Sequence, residues 1–421
     1  MASFSFGSGN VAKLVRIPLY AVGRLATVLI PRTANEWVFG CGAGVGDGAL
    51  ALWQRVAADD HPAVWLSGSA REAADAAALG IPSVPKTSLR GFWRTARARV
   101  VVVTHGFGDV NRYAVSGAFV VQLWHGIPLK RIGLDSAETL RTSVLPGSVL
   151  LRRLIATMYR GAARRIDVLP AASALVRGRL ESAFGLPDAR VPVTGEPRVD
   201  VLSSGTPQAR REHARAILER AGIDADARLV LYAPTWRDGE PDPAVPTPAQ
   251  WRALIDLLEA QDAVLLIRSH PLGAGEYDPP FATDRVRPLG SALVRDATAV
   301  LPVLTALITD YSSMAFDAAL VPLPVLFLAP DIEAYADRRG FYGRYQDVAG
   351  ADPASSWDEA TVQLDGLLAD PAIRAERIAR SEELSRRVHA YRDGRNTLRV
   401  YRAILKGARL RGSAEQGESV A

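Results

Sequence analysis

Short apolar runs of strand length alternate with segments of helix length along most of this chain. The runs that predict strands are residues 37–40, 63–66, 100–104, 119–124, 191–194, 229–232, 264–268, 306–309 and 324–328. Apolar strands separated by crossover helices are typical of parallel sheets. The alternation therefore predicts an α/β fold built on parallel strands.

Length and composition set outer bounds on this fold. A chain of 421 residues is long enough for two domains with separate cores. Cys41 is the single cysteine, which excludes an intrachain disulfide and a cysteine-based zinc site and suits a reducing cytosol. The net charge of +5 favours an anionic partner. The N-terminus lacks the residue order of a signal peptide, and no apolar run is long enough to span a bilayer.

Two stretches in the first half interleave basic and large apolar residues. Residues 11–31 are apolar but carry basic side chains, and residues 141–165 contain six arginines and no acidic residue. Residues 11–31 form either an amphipathic helix packed on its own domain or a segment that lies on a membrane, and residues 141–165 form either a solvated basic face or a patch for anionic lipid or an anionic polymer. For the second reading, the membrane-facing candidates are Lys13, Arg16, Arg24, Arg152, Arg153, Arg164 and Arg165.

A histidine follows the predicted strand 119–124 directly. In open α/β sheets, ligands bind beyond the carboxyl ends of the strands. His125 lies at such an end, Gly126 beside it permits close approach, and Lys130 follows. His105 occupies a similar position after the preceding strand but lacks a companion lysine. His125 is therefore a candidate catalytic residue, with Gly126 and Lys130 on the acceptor side.

Three strand ends in the second half carry polar residues. The candidates are Thr235 and Arg237 after one strand, Arg268 and His270 around the end of the next, and Asp310, Ser312, Ser313 and Asp317 after the third. Arginine forms bidentate hydrogen bonds with phosphate, and a helix N-terminus favours anions. Together the three corners predict a pyrophosphate site, whereas Asp310 or Ser312 taken alone reads equally well as a helix cap.

Several motifs in order resemble the CDP-glycerol glycerophosphotransferases, which build teichoic acids and related capsule polymers. They are Trp124-His-Gly-Ile-Pro-Leu-Lys130, Thr194-Gly-Glu-Pro-Arg-Val-Asp200, Tyr232-Ala-Pro-Thr-Trp-Arg237, Arg268-Ser-His-Pro271, Ile308-Thr-Asp-Tyr-Ser-Ser313 with Phe316-Asp317, Ala329-Pro-Asp-Ile-Glu-Ala-Tyr335 and Arg339-Gly-Phe-Tyr342. Ile127 and Leu323 depart from residues common in that family.

The resemblance implies a GT-B arrangement of two Rossmann-like domains facing each other across a cleft. On that basis residues 33–205 form an acceptor and membrane-facing domain and residues 206–408 a domain that binds the CDP-alcohol. A basic amphipathic segment, 1–32, precedes them, and a polar tail, 409–421, follows. The family's two essential histidines correspond to His125 and His270.

The implied reaction transfers a polyol phosphate from CDP-glycerol or CDP-ribitol to a hydroxyl of a polymer or lipid-linked acceptor and releases CMP. His125 is the expected general base, and His270, Arg237, Ser312 and Ser313 hold the pyrophosphate. Asp317 is expected to contact a ribose or polyol hydroxyl. The enzyme is expected to work as a cytoplasmic, peripheral protein on the inner face of the membrane, without nucleic acid.

Two other classes of function stay open at this stage. One is a GT-B glycosyltransferase that uses a CMP-activated or other nucleotide-activated sugar, and the other is a non-catalytic protein that binds polymer or membrane. Intact His125, His270 and Ser313 argue against the binder. No Asp-x-Asp pair or histidine cluster suggests a tightly held metal, and loosely bound Mg²⁺ stays compatible with the sequence.

Overall fold

The computed structural model describes residues 17–32, 34–141, 148–237, 242–269 and 277–418, and it contains two five-stranded sheets. Paired strands within each sheet run parallel. The first sheet has the order β3-β2-β1-β4-β5, and its strands are β1 (Ala34–Phe39), β2 (Ala63–Ser67), β3 (Ser83–Pro85), β4 (Ala98–Val103) and β5 (Phe119–Gln122). The predicted parallel α/β class is confirmed.

The second sheet has the order β10-β9-β6-β7-β8. Its strands are β6 (Arg228–Ala233), β7 (Ala263–Ile267), β8 (Val286–Pro288), β9 (Ala306–Thr309) and β10 (Val325–Phe327). The three strands that were expected to end in donor-binding residues are β6, β7 and β9, and they are neighbours at the centre of this sheet. Their carboxyl ends therefore share one edge.

The chain forms two compact units, each with one sheet. The first comprises Met1–His125, Ile132–Asp200 and Arg395–Ala421, and the second comprises Gly126–Arg131 and Val201–Gly394. The sequence placed a single boundary near residue 205. The structure differs in two places, because the loop after His125 belongs with the second unit and the C-terminal helix with the first.

The first unit contains seven of the described α-helices. They are α1 (Ile17–Leu29), α2 (Asp47–Ala58), α3 (Ala70–Ala78), α4 (Leu89–Arg97), α5 (Val149–Ala163), α6 (Ala174–Phe184) and, at the chain's end, α14 (Asn396–Glu418). Helix α1 lies within the predicted basic segment 11–31. It carries Pro18 in its first turn, where a missing N–H is tolerated.

The second unit contains the other described α-helices. They are α7 (Pro207–Arg220), α8 (Pro248–Ala260), α9 (Met314–Ala318), α10 (Ile332–Arg339), α11 (Gln346–Ala349), α12 (Trp357–Ala369) and α13 (Pro371–Val388). Helix α8 begins with a capping box, in which the Thr247 hydroxyl accepts from the Gln250 N–H and the Gln250 side chain accepts from the Thr247 N–H. Helix starts of this kind were readable from the sequence.

Successive side chains of a strand point to opposite faces of its sheet, and apolar side chains pack against each face. In β1, Trp37 and Phe39 pack against α2 and α14 on one face, while Val38 joins a valine-rich cluster on the other. In the second unit, Tyr232 and Trp357 pack ring edge to ring face with centroids 4.9 Å apart. This packing holds the strands, and therefore the first residues of the loops that follow them, in place.

Three local predictions were wrong. Residues 191–194 form no strand of either sheet and make only an isolated bridge, between Ala171 and Val193. The sequence predicts an α-helix at residues 296–304, but Thr298–Val303 form a 3₁₀ helix, because Pro302 inside it lacks the N–H that an α-helix needs. The sequence also predicts one continuous helix over residues 372–405, but this segment is divided into α13 and α14. Helix α14 then continues through most of the polar tail.

The described part of the chain contains no helix that combines the length and the apolar character needed to cross a bilayer.

Candidate active site

Two histidines lie side by side at the carboxyl edge of the first sheet. His105 follows β4 and His125 follows β5, and these strands are adjacent. The two imidazole rings are stacked, with centroids 4.3 Å apart and planes inclined by 8°. His105 was assigned no role from the sequence because it lacks a companion lysine. The available signal was that consecutive strands of a parallel sheet both end in histidine.

The backbone is strained immediately before His125. Trp124 has a φ of +62°, in the left-handed region that a bulky side chain rarely adopts. The Trp124 ring packs edge-on against Phe184, with centroids 5.2 Å apart. Strained positions of this kind cluster at functional sites, where the surrounding structure holds them in place. The packing of Trp124 therefore fixes the direction in which His125 leaves the sheet.

His105 is held in place by hydrogen bonds to Thr104 and Asp109. Its Nδ1 lies 2.7 Å from the Thr104 hydroxyl, and its backbone N–H donates to Asp109 Oδ2 at 2.7 Å. A Cβ at Gly42 would lie 2.8 Å from the His105 ring, so only glycine fits there. The glycine-rich turn at residues 40–48, which matches no nucleotide-binding fingerprint, thus packs directly against this imidazole.

The loop after His125 is joined to the second unit by backbone pairing. Lys130 forms an antiparallel bridge with Phe341, and the Arg131 N–H donates to the Gly340 carbonyl at 3.0 Å. Two motifs far apart in sequence are therefore neighbours. Gly126 and Lys130, predicted on the acceptor side, both cluster with the second unit.

Lys130 is in a cationic and aromatic environment. Its ammonium lies 5.9 Å from the centre of the Tyr335 ring. Burial, together with the charges of Arg339 and Arg237, lowers the pKa of Lys130 to about 8, and the charge of Asp310 opposes them. An anion bound beside this side chain would favour its charged form.

Arg237 is the centre of a buried ion-pair network. Its Nη1 donates to Asp310 Oδ2 at 2.8 Å, and its Nε and Nη2 donate to the two carboxylate oxygens of Asp331 at 2.8 and 3.0 Å. Burial lowers the pKa of Arg237, but the two carboxylates outweigh this effect and raise it above its ordinary value. Asp331 lies in a motif noted in the sequence but was not assigned a role.

Aromatic rings enclose this guanidinium. It lies 5.0 Å from the centre of the Tyr311 ring and 5.1 Å from that of Tyr335, and these two rings are stacked 3.9 Å apart. The Tyr311 hydroxyl donates to Asp331 Oδ1 at 2.8 Å. With these partners, Arg237 organises the loops and has few donors left for phosphate. These bonds favour a structural role for Arg237, and its predicted contact with phosphate stays a prediction.

Two other predicted donor-binding residues also have structural roles. Arg268 donates to the backbone carbonyls of Leu289, Val294 and Arg295, and burial lowers its pKa. The Asp310 carboxylate also accepts from the Thr235 N–H at 2.9 Å. Asp317 is only 1% exposed, and its predicted contact with a ribose or polyol hydroxyl stays a prediction.

The hydroxyl side chains at the carboxyl edge of the second sheet include one that caps the backbone and two that do not. Ser312 Oγ accepts from the Met314 N–H at 3.2 Å and is a cap. Thr235 Oγ1 is buried, and among the described residues it has no hydrogen-bond partner. Ser313 is half-buried, and its side chain makes no cap bond to α9. Because α9 has only five residues, hydroxyls rather than a helix dipole are the groups this corner offers to an anion.

Two sets of sequence predictions lie partly or wholly outside this description. His270 is outside the described residues, as are Lys13 and Arg16. Within the described ranges, no group of three or more His, Cys, Asp or Glu side chains is arranged to hold a metal ion.

Comparison with known proteins identifies the family. Residues 39–406 match the family described as CDP-glycerol:poly(glycerophosphate) glycerophosphotransferase. The chain is 27% identical over 335 residues to the teichoic acid glycerol-phosphate transferase of Staphylococcus aureus, with 77% of this chain and 81% of that protein covered. It is 29% identical over 304 residues to the teichoic acid poly(glycerol phosphate) polymerase of Bacillus subtilis, covering 69% of this chain but 38% of that longer protein.

A solved structure shares the fold. The wall teichoic acid polymerase TagF superposes with a TM-score of 0.75 at 20% sequence identity, over 95% of this chain and 96% of that one. The family match spans most of the chain, including nine of the ten described strands and the histidine pair. The chain therefore belongs to the CDP-glycerol:poly(glycerophosphate) glycerophosphotransferase family.

Proposed function

We propose that this protein transfers glycerol phosphate from CDP-glycerol to a hydroxyl of a cell-wall polymer or its lipid-linked precursor, releasing CMP. Membership of the family supports the reaction, and the relatives named above are transferases and polymerases of glycerol phosphate. The observation that carries the proposal is the intact histidine pair at the edge of the first sheet, with His125 held by a strained backbone. The fold supports a GT-B arrangement of two Rossmann-like domains.

The chemical step is a displacement at the phosphorus bonded to glycerol. The acceptor oxygen forms a new P–O bond, the bond to the CMP oxygen breaks, and the hydroxyl proton passes to the His125 imidazole. The His105 ring stacks on the His125 ring with centroids 4.3 Å apart, so it limits the orientations open to the proposed base. A neutral imidazole is the form that accepts a proton. His270 is proposed to stabilise the charge on the departing CMP, with loosely bound Mg²⁺ compatible with that role.

A panel of activated donors tests the reaction. We expect CMP release from CDP-glycerol with an acceptor primer, and a product in which glycerol is joined through a phosphodiester. CDP-ribitol and a CMP-activated sugar are the competing donors. Turnover of the CMP-sugar alone, with no phosphodiester in the product, would contradict the proposal and favour a glycosyltransferase.

Thr235 and Ser313 are proposed to hydrogen-bond the donor's pyrophosphate. Thr235→Val and Ser313→Ala are each expected to weaken CDP-glycerol binding about tenfold to a hundredfold, because each removes a hydrogen bond to a charged group. Thr235→Val should keep or raise the melting temperature, since the lost hydroxyl is buried without a partner among the described residues. Titration calorimetry with CDP-glycerol measures the affinity.

Ser312→Ala is the matched control for these variants. It removes the bond to the Met314 N–H, so it should lower stability slightly and leave CDP-glycerol affinity within about twofold. Unchanged affinity in Ser313→Ala would assign that serine to the local fold alone.

The protein is proposed to work at a membrane surface. Large apolar side chains of α1 are exposed, including Val22 at 65% and Leu29 at 76%, and on α5 Leu150 is 78% exposed beside the exposed Arg152 and Arg153. Apolar insertion combined with cationic attraction is what a peripheral protein needs. We expect sedimentation with anionic liposomes at low salt and partial release at high salt.

Leu150→Glu with Leu154→Glu is the sharpest variant for this prediction. It places charge on the exposed apolar face of α5 and should reduce liposome binding at least about tenfold. Val362→Glu, at a position 73% exposed in the second unit, is the matched control and should bind as wild type. If the wild-type protein does not sediment with anionic liposomes at low salt, the proposal that the exposed faces of α1 and α5 bind membrane is wrong.

A further inference from the structure

The first unit contains a large cavity that the proposed reaction leaves unused. Its volume is about 1860 Å³, and α1, α5, α14 and the loop 105–118 all contribute to its wall. Small-molecule sites usually measure about 300–1,000 Å³. The cavity is therefore larger than a glycerol phosphate unit needs.

Basic side chains dominate the polar part of the wall. Six line it, Arg24, Arg112, Arg164, Arg165, Arg190 and Lys406, against two carboxylates. Both carboxylates already accept backbone N–H groups, Asp109 from Thr104 and His105, and Asp167 from Val120. The wall thus presents an excess of positive charge.

The two basic stretches recognised in the sequence meet in this cavity. Arg24 comes from α1, and Arg164 and Arg165 directly follow α5. Neither Arg24 nor Arg165 forms a salt bridge with a described residue. Burial and the neighbouring charge of Arg24 lower the pKa of Arg165. Close cations without carboxylate partners repel each other unless an anion lies between them.

Helix α1 is held in place by close packing. A Cβ at Gly23 would lie 2.4 Å from the Tyr113 carbonyl oxygen, and the Tyr20 and Tyr113 rings pack with centroids 5.0 Å apart. This contact directs Tyr20, Arg24 and Val28 into the cavity wall. The other side of the helix carries the exposed Leu19, Val22 and Leu25. One helix therefore joins a cationic cavity to an exposed apolar face.

The inner part of the wall reaches the catalytic edge of the sheet. His105 and Gln122 line the cavity, and His105 stacks on His125. An anionic ligand in the cavity would thus extend towards the proposed general base.

Building on the proposed function, we infer that this cavity binds the phosphate-bearing headgroup of an amphiphilic acceptor, with Arg24 and Arg165 as its anion ligands. The hydrocarbon part of the acceptor lies along the exposed apolar face of α1. Under this inference Arg24, Arg164 and Arg165, predicted as membrane-facing candidates, line the headgroup site, and Arg152 and Arg153 remain membrane-facing candidates.

Decyl phosphate, held below its micellar concentration, is the probe for this site in the full chain. We expect Arg24→Gln with Arg165→Gln to weaken its binding about tenfold to a hundredfold by calorimetry, because charged hydrogen bonds are lost. Arg152→Gln with Arg153→Gln is the matched control and should bind as wild type. Decanol and inorganic phosphate separate the tail and anion contributions, and each should bind more weakly than decyl phosphate.

The variant should remain folded, because removing two like charges without carboxylate partners relieves repulsion. Arg24→Lys with Arg165→Lys keeps the charge and should recover part of the affinity. Equal binding by wild type and the Gln pair, or loss of binding in the Arg152/Arg153 control instead, would overturn the inference. Inorganic phosphate binding as tightly as decyl phosphate would also overturn it, by making the site one for free phosphate.

The binding assay also separates this inference from the proposed reaction. With a lipid-linked acceptor, the Gln pair should raise the KM for acceptor and leave the KM for CDP-glycerol unchanged. Arginine-dependent binding of decyl phosphate without turnover of any CDP-alcohol would refute the reaction and retain the site. Turnover with an unchanged acceptor KM would refute the site and retain the reaction.

Discussion

Replacing His125 by alanine is expected to lower the rate of glycerol phosphate transfer about 100- to 10,000-fold, the usual loss when a general acid–base group is removed. The affinity for CDP-glycerol should stay within about twofold, because the proposed base contacts the acceptor hydroxyl rather than the donor's pyrophosphate. Single-turnover CMP release measures the rate, and calorimetry measures the affinity. The variant should keep the wild-type circular dichroism spectrum.

Two further variants locate the effect. His61→Ala is the matched control, because His61 precedes β2 at the opposite edge of the same sheet, where its Nε2 lies 2.9 Å from the Tyr401 hydroxyl. It should retain wild-type turnover. His105→Phe keeps a ring stacked on His125, so it should retain far more activity than His125→Ala. Near-normal turnover in His125→Ala would show that another group accepts the proton.

Most strands were predictable because a strand whose two faces are both buried has an uninterrupted apolar sequence. This holds for β4 and β5, whose residues 100–103 and 119–121 are valines or phenylalanine. Strands β3 and β8 were missed because each has three residues, lies at a sheet edge and contains proline. Residues 191–194 have a strand-like composition, but that composition does not specify a partner strand.

The division of the C-terminal helix depends on tertiary contacts that local patterns do not report. Asp200 accepts the backbone N–H of Asn396 at 2.9 Å and that of Thr397 at 2.7 Å, so it caps the start of α14 from a distant part of the chain. Gly394, with a φ of +66°, makes the turn just before it. Helical periodicity on either side of such a turn reads as one helix when the distant cap is unknown.

The candidate site was predictable in location but only partly in role. The corners after β6, β7 and β9 were recognised because polar residues follow buried strands, and the sheet order places them together. Their roles depended on partners far away in sequence, since Asp331 lies 94 residues from Arg237. An arginine that binds phosphate and one that binds a buried carboxylate look the same in a sequence.

Arg237→Met is expected to lower the free energy of unfolding by about 3–5 kcal/mol, the usual effect of removing one partner from a buried ion pair. The guanidinium and the Asp310 carboxylate are only 5% and 3% exposed, so methionine would leave that carboxylate buried without its counter-charge. Asp331 would lose both of its bonds from this arginine. Urea denaturation of the full chain, followed by tryptophan fluorescence, measures the change.

Arg215→Met is the matched control in the same unit. Arg215 pairs with Asp226 at the surface, where the two side chains are 45% and 77% exposed, and such pairs contribute roughly 0–1 kcal/mol. Arg237→Lys should be intermediate, because a single ammonium cannot donate to both carboxylates with the geometry of a guanidinium. Wild-type stability in Arg237→Met together with lost CDP-glycerol affinity would support the original prediction that Arg237 binds phosphate. Loss of stability as the primary effect would instead show that Arg237, with its aromatic and carboxylate partners, stabilises the loops of the second unit. The hydroxyls of Thr235 and Ser313 would then be the groups that bind the donor's pyrophosphate.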